Sequence, residues 1–263
     1  MALQFTTDTT DVVVVTRTAA MDDLTTWTEL AWVYLDSLSA NNMCVGSKQA
    51  NAGGGTGYRI CNIRLSTGQL NMDVNTDTTD VACRSADSAG NRVPAGSWQF
   101  VGYRLSSLVP TLYMGSLTAA IAELAYLTQT TGTGNLVSEA SYDYRLGNIP
   151  FFTTMLPGRV ALLGVWNTAL TVQQMRAQQF STKPLNSPLF WCYLGMGAAN
   201  AIDLTGNGNN GAVTGATVAN HVPLGPPFGY DLYEQFAAAA VAGGPPPSIV
   251  PILADYYRRK KVQ

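Results

Sequence analysis

The chain has 263 residues, of which 46% are hydrophobic and 10% aromatic, enough apolar material for a large core and too much for a globally disordered chain. Only 12% are charged and the formal net charge is -2, so no global field draws the chain to nucleic acid or anionic lipid. No run approaches the roughly 18 apolar residues of a membrane-spanning helix, and the opening MALQFTTDTTD lacks the cationic and apolar segments of a secretion signal, so the expectation is a soluble, unexported protein with neither membrane nor specific nucleic-acid partner.

From Met1 to about Val222 short β-rich runs alternate with Gly, Asn, Asp and Ser clusters, the rhythm of a sandwich or barrel. Strands are predicted over Val12–Thr16, Thr28–Leu35, Met43–Ser47, Tyr58–Leu65, Gln69–Val74, Trp98–Leu105, Thr111–Met114, Tyr144–Gly147, Arg159–Trp166 and Phe190–Leu194. Thr7-Asp8-Thr9-Thr10-Asp11-Val12 recurs as Thr76 to Val81, read as two similar turns leading into strands. Glycine-rich 52–57 (AGGGTG) lies between two strands and lacks a following Lys-Ser/Thr, which makes it a hairpin tip rather than a phosphate loop. Pairing around Ala52 and Gly53 would set Cys44 opposite Cys61. Four cysteines without a CxxC pair, and His221 as the lone imidazole, are poor zinc ligands; reduced, buried thiols are expected. One helix is predicted from Val172 to about Phe180, opened by a capping box of Thr171 and Gln174, with Leu170 stapled onto Met175.

After Val222 the grammar changes. Prolines crowd into Pro223 to Pro251, Asp231 can cap a short helix closed by Gly243 and Gly244, and Arg258, Arg259, Lys260 and Lys261 concentrate positive charge at the end. Residues 1–222 therefore read as one β-sandwich and residues 223–263 as an extended arm. The arm carries two apolar blocks, one of Phe228, Tyr230, Leu232, Tyr233 and Phe236, the other of Ile249, Val250, Ile252, Leu253, Tyr256 and Tyr257. Aromatic anchors of this kind suit an interface.

Several segments resemble one family. LQFTTDTTDVVVV at the start, LTTWTELAWVYLDSL (24–38), PAGSWQFVGYRLSSLVPTLYM (94–114), LPGRVALLGVWNTALTVQQMRAQQF (156–180) and the FWCYLGMG and DLTGNGNNG stretches of 190–211 are similar to segments of the laminin-G-like or concanavalin-A-like jelly roll of lectins, adhesins and many phage proteins. The last segment precedes the first strand in many members but here follows the helix. The resemblance implies an all-β fold, an antiparallel two-sheet jelly-roll sandwich with one short helix, here extended by the C-terminal arm.

Trp32, Trp98, Trp166 and Trp191 sit in apolar strand patterns and are expected in the core. Asp203 with Asn207, Asn209 and Asn210 offers oxygens for calcium, and relatives of this fold often carry a metal, but one carboxylate is too few and the loop is read as a structural turn. Glycosidases on related sandwiches place paired carboxylates on one strand. The four glutamates, Glu29, Glu123, Glu139 and Glu234, show no such pairing, and His221 has no nucleophile motif to serve, so no catalytic residue, metal or cofactor is expected. Two functions follow. One is a non-enzymatic phage capsid decoration protein on the virion surface, an oligomer docked on the major capsid protein or other virion subunits through the arm anchors together with Arg258 and Arg259. The other is a glycan-binding module of a tail fibre or adhesin, for which Tyr142, Asp143 and Tyr144, or Asn41 and Asn42, are candidate contacts.

Overall fold

The computed structural model describes residues 2–6, 10–38, 42–49, 57–64, 66–149, 157–192, 194 and 200–224. The chain divides into two units, Met1–Val222 and Pro223–Gln263. The arm anchors from Phe228 to Arg259, and the 51–56 stretch of the glycine-rich tip, lie outside the described residues.

The first unit begins with β1 (Ala2–Phe5) and β2 (Val12–Val15), a short 3-10 turn at Ala19–Met21, and then β3 (Thr26–Leu35), β4 (Asn42–Gln49) and β5 (Tyr58–Arg64). It continues through β6 (Gln69–Val74), β7 (Val81–Ser85), β8 (Trp98–Ser106), β9 (Val109–Ser116), β10 (Ala122–Glu123) and β11 (Tyr126–Thr130). Strands β12 (Tyr144–Leu146) and β13 (Gly158–Trp166) precede the helix α1 (Val172–Gln179), followed by β14 (Phe190–Cys192), β15 (Asn200–Ala201), β16 (Gly211–Thr214) and β17 (Thr217–Ala219). An eight-stranded sheet runs β10-β9-β8-β3-β13-β1-β17 with β14 against β13, and a nine-stranded sheet runs β11-β7-β6-β5-β4-β12-β2-β16-β15. All these ladders are antiparallel, giving the two-sheet jelly-roll sandwich expected from the sequence.

The core between the sheets follows from strand alternation. Val33, Leu35, Val101, Tyr103 and Leu163 of the eight-stranded sheet meet Val45, Ile63, Leu70, Met72 and Val81 of the other, all buried. The four tryptophans are buried as expected, but Trp32, Trp166 and Trp191 occupy positions alternate to this core, on the outer face of the eight-stranded sheet. There they form a second aromatic layer. Trp32 packs on Phe100 at 5.2 Å and Phe180 at 6.4 Å, and Trp166 meets Trp191 edge-on at 5.9 Å. Their indoles donate to the Gln179, Leu185 and Thr182 carbonyls, so α1 and the 181–189 segment roof this face. Gly164 lies under the two stacked indoles, where a Cβ would run into both rings.

Helix α1 forms as its capping box predicts: Thr171 Oγ1 accepts from the Gln174 amide at 3.2 Å and Gln174 Oε1 accepts from the Thr171 amide at 2.8 Å. The second copy of the hexapeptide leads into β7, with Asp80 accepting from the Thr76 amide, and Asp11 accepts from the Thr6 amide ahead of β2; residues 7–9 of the first copy lie outside the described residues. Two expectations need correction. Val45 bulges out of the β4–β5 ladder, so Cys44 lies opposite Asn62 and Cys61 opposite Gly46; all four cysteines are buried free thiols. Strands β10, β11, β15, β16 and β17 were not expected. They are short, mostly border strands, and β11 is exposed along nearly its whole length, so no apolar alternation marks them.

Candidate ligand-binding face

The opposite outer face is that of the nine-stranded sheet; no described helix or strand crosses it, yet Cys44, Ser47, Gln49, Asn62, Gln69 and Asn71 on it are each at most 8% exposed. Its residues are those that alternate with the core. Leu70, Met72 and Val74 point inward, which turns Gln69, Asn71 and Asp73 of β6 outward, and likewise Tyr58, Ile60, Asn62 and Arg64 of β5 and Arg84 of β7. The bulge at Val45 leaves Ser47 and Gln49 on this side too, because Gly46 faces Glu29 and Tyr144 in the interior.

The registers arrange these side chains in rows about 7 Å apart along the strands. One row reads Cys44, Asn62, Asn71 and Arg84; the next reads Ser47, Ile60 and Asp73. At one end Tyr58, half-buried, donates to Asp80 at 3.2 Å, and Asn75 Nδ2 holds the same carboxylate at 2.9 Å. Burial, then the Asp80 charge, pushes the Tyr58 hydroxyl up to about 12. Asn71 bridges the row: its amide donates to Asp73 and its oxygen accepts from Arg84 Nε at 3.4 Å. Burial raises the Asp73 carboxyl above its ordinary range.

Asn62 and Gln49 are each only 8% exposed, yet Asn62 Oδ1 and Gln49 Nε2 have no hydrogen-bond partner among the described residues. A buried amide left unpaired costs on the order of 1–3 kcal/mol, which a ligand hydroxyl or a water recovers. An aromatic ring beside carboxylates and unpaired amides is the chemistry that holds a polyhydroxylated ligand, the ring covering C–H faces and the amides fixing hydroxyls.

The residues expected from the sequence lie elsewhere. Tyr144 is 1% exposed in the core, so Tyr142, Asp143 and Tyr144 do not make an exposed platform; alternation along β12 sends Tyr144 inward. Asp143 instead accepts from the Arg17 amide at 3.0 Å. Asn41 and the Asn42 side chain fall outside the described residues. The sequence signal of this face is the alternation of polar with apolar residues in Gln69–Val74, the pattern of a half-buried strand.

Both oxygens of Asp203 are engaged by its own loop: they accept from the amides of Trp191, Thr205 and Asn209 and from the Thr205 hydroxyl. Asn207 and Asn209 tie the same loop to the Leu189 carbonyl at 3.0 and 2.7 Å. Among the described residues no cluster of three or more metal-ligating side chains occurs.

Several other carboxylates are held by partners. Lys48, fully buried, binds Asp22 and Glu139, the latter at 2.7 Å, while Arg59 lies 3.8 Å from Glu139 and 5.1 Å over the Trp27 ring. Glu29 is 1% exposed, and burial pushes its carboxyl up to about 7 although Tyr144 and Arg59 pull it down. Glu123 accepts from the Tyr126 hydroxyl at 2.7 Å. His221 is half-buried at the domain edge beside the Val222 carbonyl.

The sequence profile described as the concanavalin A-like lectin/glucanases superfamily matches residues 7–176, more than half of the chain. Comparison with curated proteins returns no match. Among solved structures, one from Bacteroides ovatus described as carbohydrate binding superposes with a TM-score of 0.54 at 14% identity, covering 85% of this chain and 61% of that one. This chain thus spans less than two thirds of that protein's length. The sialidase CBM40 module of Ruminococcus gnavus, solved with α2,3-sialyllactose, superposes with a TM-score of 0.50 at 12% identity over 67% of this chain and 95% of the module. At these identities the likeness is one of fold.

Proposed function

Since the chain belongs to the concanavalin A-like lectin/glucanases superfamily, we propose that it is a non-enzymatic, lectin-like module that binds glycans on the outer face of its nine-stranded sheet. The observation that carries this reading is two buried polar atoms without a hydrogen-bond partner among the described residues, Asn62 Oδ1 and Gln49 Nε2, on the same outer face as the half-buried ring of Tyr58. Names borne by proteins of the same fold support the class of ligand and nothing finer. A glycan array probed with the whole chain tests it: saccharides are bound and recovered uncleaved, and Tyr58→Ala or Asn62→Ala weakens binding at least tenfold with Tm nearly unchanged. Binding unaffected by both substitutions, or turnover of the bound saccharide, overturns it.

Virion attachment is the second reading, carried by the aromatic blocks of 223–263. In it the sandwich is the outward body, the arm docks on the major capsid protein or other virion subunits, and any glycan contact is made by the displayed sheet face. Co-sedimentation with particles, lost on deletion of 223–263, tests it.

A further inference from the structure

Resting on the glycan reading of this face, we propose that its ligand is an acidic saccharide whose carboxylate or sulfate is clasped between Arg64 and Arg84. The two arginines flank β6. Arg64 lies opposite Gln69 and Arg84 opposite Asn71, so they stand on strands either side of β6 and one row apart, a Cα separation on the order of 12 Å from strand and row spacings. Two long side chains leaning over β6 close most of that span. Their fields already overlap: burial, and next the Arg64 charge, lowers the proton affinity of Arg84.

Neither arginine makes an ion pair within 4.0 Å among the described residues, and Arg84 has a single long hydrogen bond, to Asn71. Asp73, on β6 between them, accepts from the Asn71 amide and is attracted by both arginines without closing an ion pair, and Asp80 is taken by Tyr58, Asn75 and Thr76. Arg64 and Arg84 thus bring two positive charges to one face of a chain whose net charge is -2. A guanidinium fork matches the paired oxygens of a carboxylate or sulfate, and an anion here relieves the repulsion between the two cations. Asn62 Oδ1, unpartnered and in the same row as Arg84, accepts a hydroxyl of the same sugar.

Calorimetric titration of the whole chain with three matched pairs decides the matter: trigalacturonate and its methyl ester, 3′-sialyllactose and lactose, and a heparin-derived tetrasaccharide with its desulfated form. The pairs separate carboxylate from sulfate as the source of the charge. In at least one pair the more acidic member binds tenfold or more tightly than its less charged counterpart, which for heparin keeps its uronate carboxylates, and the difference shrinks with added salt. Arg64→Gln and Arg84→Gln each weaken that binding at least tenfold, Arg84→Lys less. Equal affinity for acidic and neutral members, or acidic binding undiminished in both glutamine variants, overturns the clasp while the glycan face stands. Failure to bind any of the six overturns both readings. If a variant does not fold, the acidic-to-neutral ratio of the unaltered chain still decides.

Discussion

A carboxyl group buried in the middle of a sandwich is the least expected residue of this chain. Glu29 sits on the inward side of β3 with Tyr144, Arg59 and Cys61 about it, and Gly46 opposite has no side chain, which leaves room for the carboxyl and the Tyr144 hydroxyl. Folding raises its pKa from 4.5 to about 7 because burial disfavours the anion. The folded state therefore holds this proton more tightly than the unfolded chain. The stabilisation is full below pH 4.5, declines as pH rises, and is gone above about 7, a loss of about 3 kcal/mol at most. Glu29→Gln should remove this dependence: urea denaturation at pH 5 and pH 8 should show wild type losing stability across the interval relative to the variant, which becomes the more stable of the two at pH 8. A constant difference between them at both pH values would show that Glu29 does not titrate in this range.

At the scale of elements, the Asp203 loop joins β15 to β16 and is held by its own hydrogen bonds. The carboxylate satisfies three backbone amides that would otherwise be buried unpaired, so Asp203→Ala should cost on the order of 3 kcal/mol by chemical denaturation. Because both oxygens are already occupied by donors, a chelator should leave Tm unchanged; a large calcium-dependent rise in Tm would mean that a cation displaces them. The same loop explains a difference of legibility. The turn chemistry of Asp203, Gly206 and Gly208 could be read directly, since it is local. The short strands that follow it could not, because β16 and β17 owe their extended form to β2 and β1, some 200 residues earlier in the chain.

For the whole molecule, β14, β16 and β17 complete both sheets after the helix: β14 pairs with β13, β17 with β1, and β16 with β2. The family profile ends at residue 176, before any of them. A chain cut after Phe180 should therefore expose the edges of β1 and β2 and the floor of the aromatic layer, and should aggregate or unfold. Cutting after Val222 should leave the sandwich intact. Circular dichroism and size-exclusion chromatography of the two truncations check this, and a folded, monodisperse 1–180 fragment would show that the closing strands are dispensable.

Strand alternation, turn residues and the capping box are interactions between near neighbours, so the sequence by itself determined the sandwich class, the positions of the longer strands, helix α1 and the burial of the tryptophans. It also held the polar stripe of Gln69, Asn71 and Asp73. Alternation assigns residues to two sides of a strand but does not say which side is covered. That was decided by α1 and the 181–189 segment settling on the eight-stranded sheet, by the bulge at Val45 that returns Gln49 to the outer face, and by the pairing of β5, β6 and β7 that lines up Asn62, Asn71 and Arg84. Each is a contact between distant segments chosen by packing and hydrogen bonding across the whole fold, and no local spacing encodes it.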